Sequence, residues 1–129
     1  LEWQQENPVV IVQIEHQAAL EHLEEIFSTP GVDGFIIGPY DLSGSFGVPG
    51  EFEHPDVVRA LEQVNMVRLK TNALAGYHVV SPEPSEVDEK VRAGYRFVAY
   101  SVDAILLGEA ARSGLATIRQ NVKNMTEAT

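Results

Sequence analysis

The sequence predicts an α/β fold built from four parallel βα units. Two observations carry this. Short apolar, β-branched runs alternate with longer stretches of helical periodicity, and each unit occupies about 30 residues, the usual length of a βα layout. Alternation of this kind implies right-handed crossovers, with helices laid over a parallel sheet. With 129 residues and 44% hydrophobic content, the chain can bury one core, so residues 1–129 read as a single domain.

The elements follow in order. Residues 9–14 are an apolar run, expected as a strand buried on both faces. Ala18, Ala19, Leu20, Leu23, Ile26 and Phe27 then form a helical stripe from about Gln17 to Phe27, with Gly31 placed to stop it. Residues 35–38 are a second strand, running into "PYDLSGSFGVPGEF", expected as a long Gly/Pro-rich loop. Asp56 to about Lys70 reads as helix, and residues 75–80 as a third strand. In residues 81–94, Ser81 is the expected N-cap and Gly94 the stop signal. Residues 96–102 form the fourth strand. A last helix runs from Asp103, past a weak point at Gly114, to about Asn124.

Two architectures satisfy this order: a small doubly wound sheet, or half of a (β/α)₈ barrel, which needs roughly 250 residues. Both place their chemistry at the C-terminal ends of the strands. No Gly-rich phosphate fingerprint follows a strand, so a dinucleotide site is not expected.

Composition narrows the function classes. A formal net charge of −10 disfavours nucleic acid, and no run of 18 or more apolar residues spans a membrane. The absence of cysteine excludes disulfides and thiolate metal sites. No charged n-region and apolar h-region open the chain, so no secretory signal is expected and a cytoplasmic location is. Leu1 in place of an initiator Met points to part of something longer.

Among the strand-end residues, Glu15 and Asp41 stand out. Each closes an apolar run on adjacent units, where a parallel sheet brings the two carboxylates close. Like charges so placed repel unless they share a proton or a cation, and a hard divalent ion such as Mg²⁺ or Mn²⁺ suits them. The alternative is that Asp41 caps a turn and Glu15 meets solvent at a helix start. Gly38 and Pro39 permit close backbone approach, so the amides of Tyr40 and Asp41 could serve as anion donors. His16 should face away from Glu15 and be structural, His22 solvated, His54 a residue at a helix start and His78 a core histidine; Trp3 and Tyr95 read as packing.

"VVIVQIEHQAALEHLEEI", "PGVDGFIIGPYDLSGSFGVPG", "AGYHVVSPEP" and "AGYRFVAYSVDAILL" together resemble the HpcH/HpaI aldolases, metal-dependent class II pyruvate aldolases, over about residues 8–112 and in the family's order. The resemblance implies a (β/α)₈ barrel of which this chain is the C-terminal half, and assembly into homo-oligomers that exchange the last helix. It implies Glu15 and Asp41 as ligands of Mg²⁺ or Mn²⁺, with Co²⁺ possible. Gln13, Gly38, Pro39, Tyr40, Asp41 and Val80 would bind a small 2-oxo acid. The implied reaction is reversible cleavage of a 4-hydroxy-2-oxo acid to pyruvate and an aldehyde. The family's base histidine and substrate arginine belong to the other half, and no histidine or arginine here matches them, so the isolated chain is expected to turn over little. Two further readings stay open: a half-barrel that pairs with itself and binds metal with little catalysis, and a relative that cleaves citryl or malyl thioesters of CoA.

Overall fold

The computed structural model describes residues 8–127. Four strands, β1 (Ile11–Ile14), β2 (Gly34–Ile37), β3 (Ala75–Val79) and β4 (Phe97–Tyr100), form one sheet in the order β1-β2-β3-β4. Every neighbouring pair is parallel. A 3₁₀ segment (Gln17–His22) and helix α1 (Leu23–Ser28) follow β1, then α2 (Pro39–Ser45) and α3 (Pro55–Thr71) follow β2. Helix α4 (Pro84–Arg92) follows β3, and α5 (Asp103–Glu127) follows β4. Among the described residues no helix is long and apolar enough to cross a membrane.

The register pairs Ile14 with Ile37, Ile37 with Tyr77 and Tyr77 with Val98, so these side chains share one face of the sheet. That face carries the core. Phe35 stacks on Phe27 of α1 with centroids 4.2 Å apart, while Leu23, Ala60, Val64 and Tyr95 complete the buried cluster. Arg68 of α3 is buried among them and lies over the Tyr95 ring, donating to Asn65 and to the Ala93 carbonyl. The opposite face carries Ile11, Gln13, Ile36, His78, Phe97 and Ala99, none of which is buried.

The expected strand, buried on both faces, is thereby corrected: β1 is covered on one face only. It is also shorter than residues 9–14, because Val9 and Val10 are exposed and Val10 pairs with Asp33 rather than with a strand. One covered face and one bare face are what half of a closed barrel leaves behind.

Other differences have local causes. The stretch from Pro39 begins as helix rather than loop, since Pro39 occupies the first helical position and Asp41 the first turn. Residues 17–22 form a 3₁₀ turn before α1, with His16 Nδ1 accepting from the Ala18 amide at its start. Glu83, not Ser81, holds the N-cap position of α4; the Ser81 hydroxyl instead accepts from the Glu83 amide. Gly114 does not interrupt α5, which runs on to Glu127. No residue of α5 is buried, and Leu107, Leu115, Ile118, Val122 and Met125 form an exposed apolar stripe along it. His54 stands at the start of α3 as expected, its Nδ1 accepting from the Asp56 amide.

Candidate metal centre

Strands β1 and β2 end side by side. The Gly38 amide donates to the Ile14 carbonyl at 3.1 Å, so the ladder continues one residue past β2 before the chain turns. Gly38 then holds the N-cap position of α2, and Leu42 N closes the first turn onto the Gly38 carbonyl at 2.9 Å. The amides of Tyr40 and Asp41 lie in that first turn, where a helix offers them no internal acceptor.

Glu15, His16, Tyr40, Asp41, Gly44, Ser45 and Pro49 line one cleft of about 450 Å³. Both carboxylates are exposed, and among the described residues neither is in an ion pair. His16 therefore shares the cleft with Glu15 rather than facing away, although its ring nitrogen is engaged in the local cap. Gln13 joins from β1: a Cβ placed on Gly38 would stand 2.6 Å from Gln13 Nε2 and 3.5 Å from Asp41 Oδ2. The amide of Gln13 and the carboxylate of Asp41 thus converge over the bare Cα of Gly38.

Val80 lies elsewhere, in a neighbouring cleft of about 670 Å³ whose lining also includes Pro39, Phe52, Tyr77 and His78. Tyr40 of the first cleft and Phe52 of the second are set edge to face with centroids 5.2 Å apart. In the larger cleft, burial pushes the Tyr77 phenol up to about 12, with smaller contributions from Tyr95 and Glu86. His78 lies on the uncovered face rather than in the core, half-buried, with Nε2 at 3.0 Å from the Ser101 carbonyl.

Three serines that composition did not mark as structural fix this mouth. Ser43 is fully buried; its hydroxyl donates to the Tyr40 carbonyl and accepts from the Gly50 amide, binding the loop after α2 to its first turn. Ser45 accepts from the Gln17 amide at 2.9 Å. Ser101 adopts a left-handed backbone (φ 55°), with its amide on the Val79 carbonyl and its hydroxyl on the Val80 carbonyl.

The donor set decides which cation could fit. Among the described residues no group of three or more His, Cys, Asp or Glu side chains converges, which does not suit a closed tetrahedral zinc site. Two carboxylates open to solvent suit a hard divalent ion that keeps waters and takes further oxygens from a substrate. Glu15 and Asp41 fit that description.

A four-unit parallel α/β sheet of this order belongs to a known class. The chain is a member of the HpcH/HpaI aldolase/citrate lyase family, which it matches over residues 3–110. A 2-keto-3-deoxy-L-rhamnonate aldolase of Klebsiella pneumoniae is 37% identical over 121 residues, covering 93% of this chain and 44% of that protein. Its counterpart in Escherichia coli O1:K1 is 37% identical over 111 residues, covering 85% of this chain and 40% of that protein. Among solved structures, an HpcH/HpaI aldolase of Desulfitobacterium hafniense superposes with a TM-score of 0.79 at 30% identity, covering 92% of this chain and 46% of that one. An HpcH/HpaI aldolase/citrate lyase family protein of Burkholderia cenocepacia gives 0.78 at 33% identity, covering 86% and 42%. The chain spans less than half the length of these relatives, which agrees with a partial barrel.

Proposed function

We propose that this chain is the C-terminal, metal-holding half of a class II aldolase that cleaves 4-hydroxy-2-oxo acids to pyruvate and an aldehyde. The observation that carries the reading is the shared cleft of Glu15 and Asp41, with the Gln13 amide beside them. The substrate class is supported by the relatives' name: a 2-keto-3-deoxy sugar acid has a keto group at C2 and a hydroxyl at C4.

Glu15 and Asp41 are the residues that would hold Mg²⁺ or Mn²⁺. When bound, such an ion supplies Lewis-acid chemistry, withdrawing electrons from the 2-oxo acid as its C3–C4 bond breaks. The chain's own groups bind and orient. The first-turn amides of Tyr40 and Asp41 would receive the substrate carboxylate, and Gln13 would hydrogen-bond an oxygen of the 2-oxo acid, its amide held in the space that the bare Cα of Gly38 leaves. Pro39 starts the helix that presents those amides, and Val80 would belong to the wall of the adjoining cleft. As the C3–C4 bond breaks, a base must take the proton of the C4 hydroxyl; the family's base histidine and substrate arginine have no match here, so the parent protein would supply them from its other half. The exposed apolar stripe of α5 supports assembly with further copies.

The test is a Mn²⁺ titration of the intact chain. Glu15→Gln and Asp41→Asn are each expected to weaken binding by about 100-fold, with little pyruvate release from any form. Unchanged Mn²⁺ affinity in both variants would refute the metal site. Metal-dependent pyruvate release by the wild-type chain, lost in Glu15→Gln, would refute the assignment of the base to the other half.

A further inference from the structure

Resting on the metal reading above, we infer that Gln17 and Ser45 are positioning residues, a latch that keeps the segment bearing Glu15 against the helix bearing Asp41. Gln17 begins the 3₁₀ segment two residues after Glu15, and Ser45 ends α2 one turn after Asp41. The Gln17 amide donates to Ser45 Oγ at 2.9 Å, and the Gln17 side-chain amide donates to the Ser45 carbonyl. Ser45 Oγ in turn donates to the Leu42 carbonyl at 2.7 Å, which fixes the hydroxyl's direction. Ser45 is half-buried and lines the same cleft as both carboxylates.

The need for a latch follows from charge. Two carboxylates facing one cleft repel each other, and among the described residues no ion pair neutralises either. The strand side of the cleft is tied by the Gly38–Ile14 hydrogen bond. Its far side, where the chain leaves β1, is tied to α2 by Gln17 and Ser45. Groups that orient ligands in this way govern affinity without touching the ion. The latch preorganises the pair, so that closing the site does not have to be driven by the ion itself.

The experiment compares the full chain with Ser45→Ala, Ser45→Thr and Thr29→Ala. Thr29 makes a similar hydroxyl-to-carbonyl bond, to Glu25, away from the cleft, and controls for a general loss of order. Mn²⁺ affinity is read by titration, and hydrogen exchange at the Gln17 amide reports the latch directly. Ser45→Ala is expected to bind Mn²⁺ about tenfold more weakly and to exchange Gln17 rapidly. Ser45→Thr, which keeps the hydroxyl, should restore both, and Thr29→Ala should change neither. Wild-type affinity in Ser45→Ala overturns the latch while leaving the metal reading intact. A wild-type chain that binds no Mn²⁺ overturns the metal reading and the latch with it.

Discussion

Gly38→Ala separates the role of Gln13 from the stability of the fold. The backbone of Gly38 (φ −97°, ψ 90°) is open to alanine, and the substitution restricts the unfolded chain, a stabilising effect of about 0.4–1 kcal/mol. Opposing this, the new methyl would stand 2.6 Å from Gln13 Nε2, which must retreat to the ordinary 3.4 Å or beyond. Gln13 is exposed, so its amide can swing to another rotamer at small expense. Asp41 Oδ2, at 3.5 Å, is already in ordinary contact and need not move. Stability should therefore change by less than about 1 kcal/mol, and Mn²⁺ affinity should hold. Pyruvate binding to the Mn²⁺-loaded chain should weaken by the value of one neutral hydrogen bond, about 2- to 10-fold. Gln13→Ala should show the same loss, and the double variant no more than either alone. Gly76→Ala is the contrast: its methyl would meet the Phe97 carbonyl at 2.7 Å and the Phe35 carbonyl at 3.0 Å, backbone that cannot swing aside. That variant should lose about 1–3 kcal/mol or more in urea unfolding. Additive losses for the Gln13–Gly38 pair, or a Gly38→Ala destabilisation as large as that of Gly76→Ala, would refute the reasoning.

Two further predictions concern stability. The folded state holds the Tyr77 proton more tightly than the unfolded chain, so the stability it contributes is fully present below pH 10 and falls as the pH rises through about 12. Alkaline unfolding should show a loss of about 2–3 kcal/mol over that interval, and Tyr77→Phe should flatten it; an unchanged profile in the variant would assign the loss to another group, with Tyr95, also raised by burial, next in line. Ser101→Val places a β-branched side chain at a left-handed backbone and removes the hydrogen bond to the Val80 carbonyl, so about 2–4 kcal/mol should be lost. Ser101→Gly, which relieves the strain while losing the same bond, should stay near wild type, and a Ser101→Val chain as stable as wild type would contradict this account.

The strands were legible because their apolar runs are long enough to need a covered face, and the carboxylate pair because a parallel sheet brings consecutive strand ends together. Helix α2 was not. "PYDLSGS" contains the residues of a turn, and what makes it helical is the placement of Pro39 at the first helical position after a Gly38 that the β1 ladder holds in place. The latch was hidden for the same reason: Ser45 can meet Gln17 only if residues 39–45 are wound into helix. The run of β1 by itself could not reveal the bare face, because it reads as apolar whether one face is covered or two; the half-barrel reading did imply an uncovered interior.

That bare face bears on the chemistry. Gln13 belongs to it, and the pairing of Gln13 with Ile36 and of Ile36 with Gly76 runs across the sheet just below the mouth that holds Glu15 and Asp41. In a closed barrel these positions point inward, toward strands beyond the four of the described residues. On the proposed reading, holding a cation and orienting a 2-oxo acid would require only neighbours: β1, β2 and the first turn of α2. On the same reading, taking the proton of the C4 hydroxyl as the C3–C4 bond breaks would fall to a group facing the substrate from the far side. If adjacent strand ends bind and opposite strand ends react, adding the other half of the barrel should raise turnover far more than it raises Mn²⁺ affinity.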